Sequence, residues 1–271
     1  MISSIVRPLD VFSKAAARSS CVWLGSCFTP NTSERPCWQW IWNGAERRIT
    51  NDRGAAEMEH RVRLGELHSP TVICGDIGSI AEPIKQLYTD KRCQLLPDPD
   101  GRRSDLITAL NSLRKANEAP STLVLGGLSG RMDRTLATLH SLVLAQSIAS
   151  HTSLPSPIFV LDGDDMMCVL RQGSHHIQLD NTHLTGVCGI APICQTETLV
   201  TTRGFRWDLQ CAPLSFSGDL STSNELDSEL IVVDTSAPII LTFQLLASLT
   251  SLTEPYFTTL PFGHIPDYPR E

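Results

Sequence analysis

The sequence has no C-x-x-C pair, no run of basic residues, no internal repeat, and no apolar stretch of the roughly 18–20 residues that a membrane-crossing helix needs. Each absence removes a class of function. Without paired cysteine spacing there is nothing to read as a zinc ribbon or a dithiol redox motif. The nine cysteines are odd in number and irregularly spaced, which argues against a disulfide framework. Cys74, Cys168 and Cys188 fall in apolar runs, where a free thiol packs as a small hydrophobe. The expected compartment is therefore reducing and cytoplasmic. A net charge of −7 with no basic run argues against nucleic acid as a partner, and the missing apolar span argues against a membrane. An acidic protein can still bind a polyanion where local arginines, backbone N–H groups and a metal supply the positive field.

What is present points to a globular protein. The chain has 271 residues, 41% of them hydrophobic, enough for one large domain or two small ones with a real core. Residues 1–20 receive no assigned element. Arg7, Lys14 and Arg18 give them a faint likeness to a transit peptide, but Asp10 interrupts it and no Arg-rich amphipathic helix supports it. Beyond them, short apolar runs alternate with helical periodicity. Strands are expected over Ser20–Phe28, Thr71–Cys74, Gln94–Leu96 and Leu123–Leu125. Helices are expected over Trp38–Ile49, Glu82–Thr89, Asp105–Asn117 with Ser104 as N-cap, and Thr135–Ile148. Ile158–Leu161 and Met166–Leu170 read as a hairpin around a Gly-Asp-Asp turn. This alternation predicts an α/β domain with a mostly parallel sheet over residues 1–172. From Gly173 the texture changes to short β runs, among them His175–Leu179, Phe205–Leu209 and Ile239–Phe243, and predicts a small antiparallel sandwich or barrel over 173–271.

The stretch Leu123–Thr135 (LVLGGLSGRMDRT) carries the most chemistry. A buried strand breaks into Gly126-Gly127, Gly130-Arg131 follow, and a helix begins. That is the geometry in which backbone N–H groups approach a phosphate. Arg131 supplies a cation and Asp133 a carboxylate. Asp52, Asp76 and Asp105 also fall at strand ends or helix starts, where ligands of open α/β sheets bind. Carboxylates from separate loops can hold Mg²⁺, which takes hard oxygen ligands and substrate phosphate. Asp98 and Asp100 read as loop acids. In the second half, Trp207 offers either core packing or a flat face for a heteroaromatic ring. Ser221-Thr222-Ser223-Asn224 is either a polar turn or a dense hydrogen-bonding surface. His175, His176 and His183 have no partnered spacing.

In order and spacing, the set Gly75-Asp76-Ile77-Gly78-Ser79, Ser104-Asp105, Leu125–Asp133, Thr201–Leu209 and Ser221–Asn224 resembles the eukaryotic thiamine pyrophosphokinases over roughly residues 50–245. The resemblance implies an αβα-sandwich N-terminal domain, a C-terminal β-sandwich and a homodimer. It implies transfer of pyrophosphate from ATP to the hydroxyl of thiamine, giving thiamine diphosphate and AMP, with Mg²⁺. It assigns Asp76, Asp105 and Asp133 to metal and phosphate, and Arg131 to catalysis with them. Gly127, Gly130, Asp52 and Ser104 fall on the nucleotide side. Trp207, Ser221, Ser223 and Asn224 fall on the thiamine side.

The chain departs from the family pattern at the site. The family's G-D-x-D-S is here Gly75-Asp76-Ile77-Gly78-Ser79, so Gly78 stands where a second acid is usual. Arg53 replaces a glycine and Ala56 an asparagine in the A-D-G-G-A-N stretch. Arg102 stands where an acid or amide is usual, and Arg134 where Gln or His is usual. These departures leave a second expectation, a non-catalytic homologue that binds thiamine or its diphosphate, or that partners an active kinase subunit.

Overall fold

Apolar β-branched runs alternate with amphipathic helices along the first half of the chain, and they build a parallel sheet. The computed structural model describes residues 5–13, 19–25, 35–98, 104–115, 121–149, 158–193 and 197–255. Its elements are β1 (Ile5–Val6), β2 (Ser20–Trp23), α1 (Cys37–Gly44), β3 (Arg47–Asn51), α2 (Asp52–Arg63), β4 (Val72–Gly75), α3 (Glu82–Asp90), β5 (Gln94–Pro97), α4 (Asp105–Lys115), β6 (Thr122–Leu125), α5 (Met132–Ala149) and β7 (Ile158–Asp162). The second half adds β8 (Asp165–Leu170), β9 (Gly173–Gln178), β10 (Leu184–Pro192), β11 (Thr198–Arg203), β12 (Ala212–Leu214), β13 (Ser221–Glu225), β14 (Leu230–Thr235), β15 (Ile239–Leu245) and the single turn α6 (Ala247–Thr250).

Strands β7-β6-β2-β3-β4-β5 lie parallel in that spatial order. The same sheet continues past β7 through β8, β15, β10 and β13, all antiparallel, to make ten strands in all. The turn between β7 and β8 is the hairpin expected from the Gly-Asp-Asp signal. A second sheet has the order β1-β9-β14-β11-β12. Its first member comes from the N-terminal residues, and β1 pairs parallel to β9.

Alternation along each strand sends side chains to two cores. Cys21, Trp23, Leu123, Leu125, Phe159 and Leu161 join one core with α1, α2, Tyr88 and the second sheet. Val22, Val124 and Val160 face the other, closed by α4 and α5. Trp23 meets Trp38 and Trp42 edge-on, with centroids 5.2 and 5.7 Å away. Such aromatic pairs each stabilise by about 0.5–1.5 kcal/mol beyond their buried area. Six of the seven described cysteines are buried free thiols, packed as the apolar runs foretold, and Cys211 is exposed. No helix among the described residues is long and apolar enough to cross a membrane.

Several local expectations are corrected. The helix expected over Trp38–Ile49 stops at Gly44, and Arg47–Asn51 is a strand. Helix α2 was not anticipated. Phe205–Leu209, expected as a strand, is a turn whose backbone folds around the Asp208 carboxylate, which accepts from Thr202 Oγ1 and the Gly204 and Phe205 N–H groups. Ser221–Glu225 is a strand rather than a polar turn. The strand expected over Ser20–Phe28 ends at Trp23, and residues 26–28 lie outside the described ones.

Candidate active site

The six parallel strands end at one edge, and the loop acids gather there. Asn51 ends β3 and caps α2. Its Oδ1 accepts the Gly54 N–H at 3.0 Å and the Gly25 N–H at 3.0 Å. Its Nδ2 donates to Asp105 Oδ2 at 3.0 Å. One buried amide thus ties the ends of β2 and β3 to the start of α4 and orients Asp105. Asp52, the next residue, opens α2, and its Oδ2 accepts from Ser79 Oγ at 3.0 Å. Gly75, the last residue of β4, lies between them with φ of 105°. A Cβ there would sit 2.8 Å from Asp105 Oδ1 and 2.9 Å from Asp52 Oδ1. Only glycine satisfies both that backbone and that crowding, and the two carboxylates face each other across its α-carbon.

Electrostatics follow from this placement. Burial pushes the Asp52 carboxyl above its ordinary value, repulsion from Asp105 adds to it, and Asp76 adds a smaller share. Asp76 stands just before the short 3₁₀ turn Ile77–Ser79 beyond β4, its side chain making no cap bond and exposed at the same edge. A Cβ at Gly78 would lie 3.1 Å from Asp76 Oδ1, and the backbone there has no positive φ. Among the described residues, no group of three or more His, Cys, Asp or Glu side chains is placed to hold a metal unaided. Two converging carboxylates with mutual repulsion are nonetheless what Mg²⁺ commonly finds, since it completes its shell with water and substrate phosphate.

The glycine-rich turn after β6 has an anion inside it already. Gly126 and Gly127 have φ of 79° and 99°, and a Cβ on Gly127 would meet Leu24 and Thr138 at 2.9 and 3.0 Å. Asp162, the last residue of the neighbouring β7 and 6% exposed, accepts the Leu128 and Ser129 N–H groups, each at 2.8 Å, and the Ser129 hydroxyl at 3.2 Å. Two donors expected for phosphate therefore fix the turn instead. What the turn presents outward is Gly130 and Arg131. Arg131 grips Asp133 with both ends of its guanidinium, Nε to Oδ1 at 3.0 Å and Nη2 to Oδ2 at 2.5 Å. Both side chains are exposed, and the pairing holds Asp133 below the usual carboxylate range. Ser104 caps α4 by accepting the Ile107 N–H, and its hydroxyl also meets Ser141 of α5.

A second locus lies at the far side. Trp207 projects from the Asp208 turn, 53% exposed. Asn224, 3% exposed, clamps its backbone: Oδ1 accepts the Trp207 N–H at 3.3 Å and Nδ2 donates to Trp207 O at 3.0 Å. The same Nδ2 donates to Ser221 Oγ at 3.2 Å. Asn224 is thus a positioning residue, its amide engaged within the protein. Ser223 has φ of 59°, at a bulge where β13 loses register against β10. Trp207, Ser221 and Asn224 line a groove of about 290 Å³.

Residues 38–152 match the family described as thiamin pyrophosphokinase, catalytic domain, and residues 174–240 match thiamin pyrophosphokinase, vitamin B1 binding domain. The thiamin pyrophosphokinase 1 of Caenorhabditis elegans is 30% identical over 251 residues, spanning 90% of this chain and 96% of that protein. The chain belongs to the thiamin pyrophosphokinase family. The rice thiamine pyrophosphokinase 1 is 27% identical, over 76% of this chain and 81% of its own length. The fold matches the crystal structure of yeast thiamin pyrophosphokinase with a TM-score of 0.70 at 19% identity, covering 91% and 93% of the two chains.

For a thiamin pyrophosphokinase fold, the expected residues fall into two groups. Asp52 and Asp105 face each other with Asp76 near them, whereas Asp133, expected with Asp76 and Asp105 at a metal, is engaged by Arg131 on the loop that carries Gly127 and Gly130. Trp207, Ser221, Ser223 and Asn224 form the other group. β13 stands seven strand spacings from β3, about 34 Å along the sheet. Asp100 and Arg102 lie outside the described residues. Asn51 and Asp162 were missed. An Asn before an acid-led, base-ended segment signals a helix cap, and an acid closing a buried strand signals a partner at the strand end.

Proposed function

We propose that this chain transfers the pyrophosphoryl group of ATP to the hydroxyl of thiamine, releasing AMP. The hydroxyl oxygen bonds to the β-phosphorus as the α,β bridging bond breaks, AMP leaves with the bridging oxygen, and the hydroxyl proton passes to a carboxylate at the strand edge. The observation that carries the reading is the confrontation of Asp52 and Asp105 across Gly75, within a chain that matches both regions of the family. Asp52 and Asp105 would hold Mg²⁺ between them, with Asp76 near enough to add charge and the rest of its shell from water and phosphate. Bound there, the ion would neutralise triphosphate charge. Arg131, pre-extended by Asp133 at the lip of the glycine turn, is free to exchange that carboxylate for a phosphate. Asp133 acts in this scheme through Arg131. Asp162 keeps the turn rigid, so orientation costs nothing at the moment of reaction.

Within one chain, about 34 Å of sheet separates Trp207 from the acids. A homodimer that sets the Trp207 groove of one protomer against the acid edge of its partner would unite nucleotide and thiamine. The buried free thiols fit work in a reducing, cytoplasmic setting.

Gly78 favours one other reading, a thiamine-binding homologue without turnover, because a carboxylate usual in the family is absent there. AMP release by purified protein decides between them. Release that requires both thiamine and Mg²⁺ supports transfer. Thiamine binding without AMP supports the non-catalytic reading.

A further inference from the structure

We infer that Arg206 and Glu225 are positioning residues: from outside the groove they brace the indole of Trp207 and set the orientation in which it receives its ligand. The identity of that ligand rests on the function proposed above. The brace does not. The Arg206 N–H donates to Glu225 O at 2.8 Å, and Phe205 bridges Leu226 in antiparallel fashion. The turn that carries Trp207 therefore lies along the end of β13. Two consecutive residues there grip two consecutive residues of the turn. Asn224 holds the backbone of Trp207 on both sides. Glu225 holds the side chain of Arg206, its Oε2 accepting from Nη1 at 2.5 Å. That places the guanidinium carbon 5.0 Å from the centroid of the Trp207 ring. Neither Arg206 nor Glu225 lines the groove that Trp207 enters. The cation thus meets the indole from outside and leaves the groove itself open.

Exposure makes a brace necessary. The Asn224 clamp fixes where the Trp207 side chain begins and leaves its χ1 and χ2 unset, and the ring is 53% exposed. An indole free to turn loses that freedom when a ligand stacks on it, which lowers affinity. A guanidinium resting on the ring restricts those angles beforehand. The sign of the effect separates this role from plain charge. Thiamine carries a fixed positive charge, so Arg206 acting by charge alone would oppose it, and its removal would tighten binding. Removal of a brace weakens binding.

Near-ultraviolet circular dichroism of the full chain tests the brace without any ligand. The band lost in Trp207→Ala is the signal of that one indole. Arg206→Gln and Glu225→Gln are expected to lose most of the same band, with Arg206→Lys keeping part of it. Calorimetric titration with thiamine tests what the brace is for. Arg206→Gln is expected to weaken thiamine binding about two- to fivefold, the worth of one exposed cation–π contact. The melting temperature should hold, because the Arg206–Glu225 pair is exposed. An Arg206→Gln chain that keeps the band overturns the proposal. So does unchanged or tighter thiamine binding in that chain while Trp207→Ala loses it. If Trp207→Ala itself binds thiamine as the native chain does, the assignment of the groove to thiamine fails, and the band alone decides the brace.

Discussion

Asp52 sits opposite a second carboxylate. Its carboxyl is pushed up by burial and by Asp105, so the folded protein holds that proton more tightly than the unfolded chain does. The stability linked to it is present at acid pH and is lost as pH rises through the raised value. At neutral pH the facing acids oppose folding until a cation joins them. Asp52→Asn is therefore expected to raise the melting temperature at pH 7 in chelator, to abolish the stabilisation that Mg²⁺ gives the native chain, and to slow AMP release at least about a hundredfold. Calorimetry with and without Mg²⁺ checks the first two outcomes. A lower melting point in chelator would show that the acids are neutralised by something other than a metal. Asp133 is a contrasting case. Its pair with Arg131 is exposed, so Asp133→Asn should leave the melting temperature nearly unchanged and slow turnover several-fold, because Arg131 loses the tether that extends it. Full turnover in that variant would remove its assigned role. Gly78 has an ordinary backbone, and a Cβ there needs only that the exposed Asp76 carboxylate, 3.1 Å away, shift slightly. Gly78→Asp is expected to lower the Mg²⁺ concentration needed for half-maximal AMP release. No change would mean that the acids already present suffice.

Two loops decide whether those side chains meet. Asn51 satisfies the N–H groups of Gly25 and Gly54 and grips Asp105. Asn51→Ala removes a helix cap and leaves a buried donor unpaired, at a cost of about 1–3 kcal/mol, measurable by urea denaturation. The penalty should fall on AMP release as well, because Asp105 loses its tether. Much of this architecture was legible in the sequence. The βαβ texture to residue 170, the hairpin after β7, the glycine turn and the acids at strand ends all follow from short-range periodicity and turn chemistry. What was not legible depended on distant partners. Arg47–Ile49 reads as the end of a helix begun at Trp38, and it belongs to a strand because its neighbours β2 and β4 pair with it. Ser221–Glu225 has the composition of a turn and is a strand because β10 pairs with it. Phe205–Leu209 has the composition of a strand and turns because Asp208 collects its N–H groups. The glycine turn was recognised, but the anion filling it comes from β7, and no pattern within the turn points there.

Seven strand spacings, about 34 Å along the sheet, lie between β13 and β3, and the homodimer proposed above has a measurable consequence. A variant lacking the acid pair, Asp105→Asn, and a variant lacking the groove, Trp207→Ala, should each be inactive. Mixed and allowed to exchange, they should recover about a quarter of native AMP release, since half of the pairs would carry one intact site of two. No recovery after demonstrated exchange would mean that the site is completed within a single protomer. The second sheet contains a different kind of dependence. Its edge strand, Ile5–Val6, pairs with His176 and Ile177 of β9. During synthesis at about 5–20 residues per second, β1 must therefore wait roughly ten to thirty seconds before its mate leaves the ribosome, and chaperone occupancy of that waiting segment is expected to set the yield of folded protein.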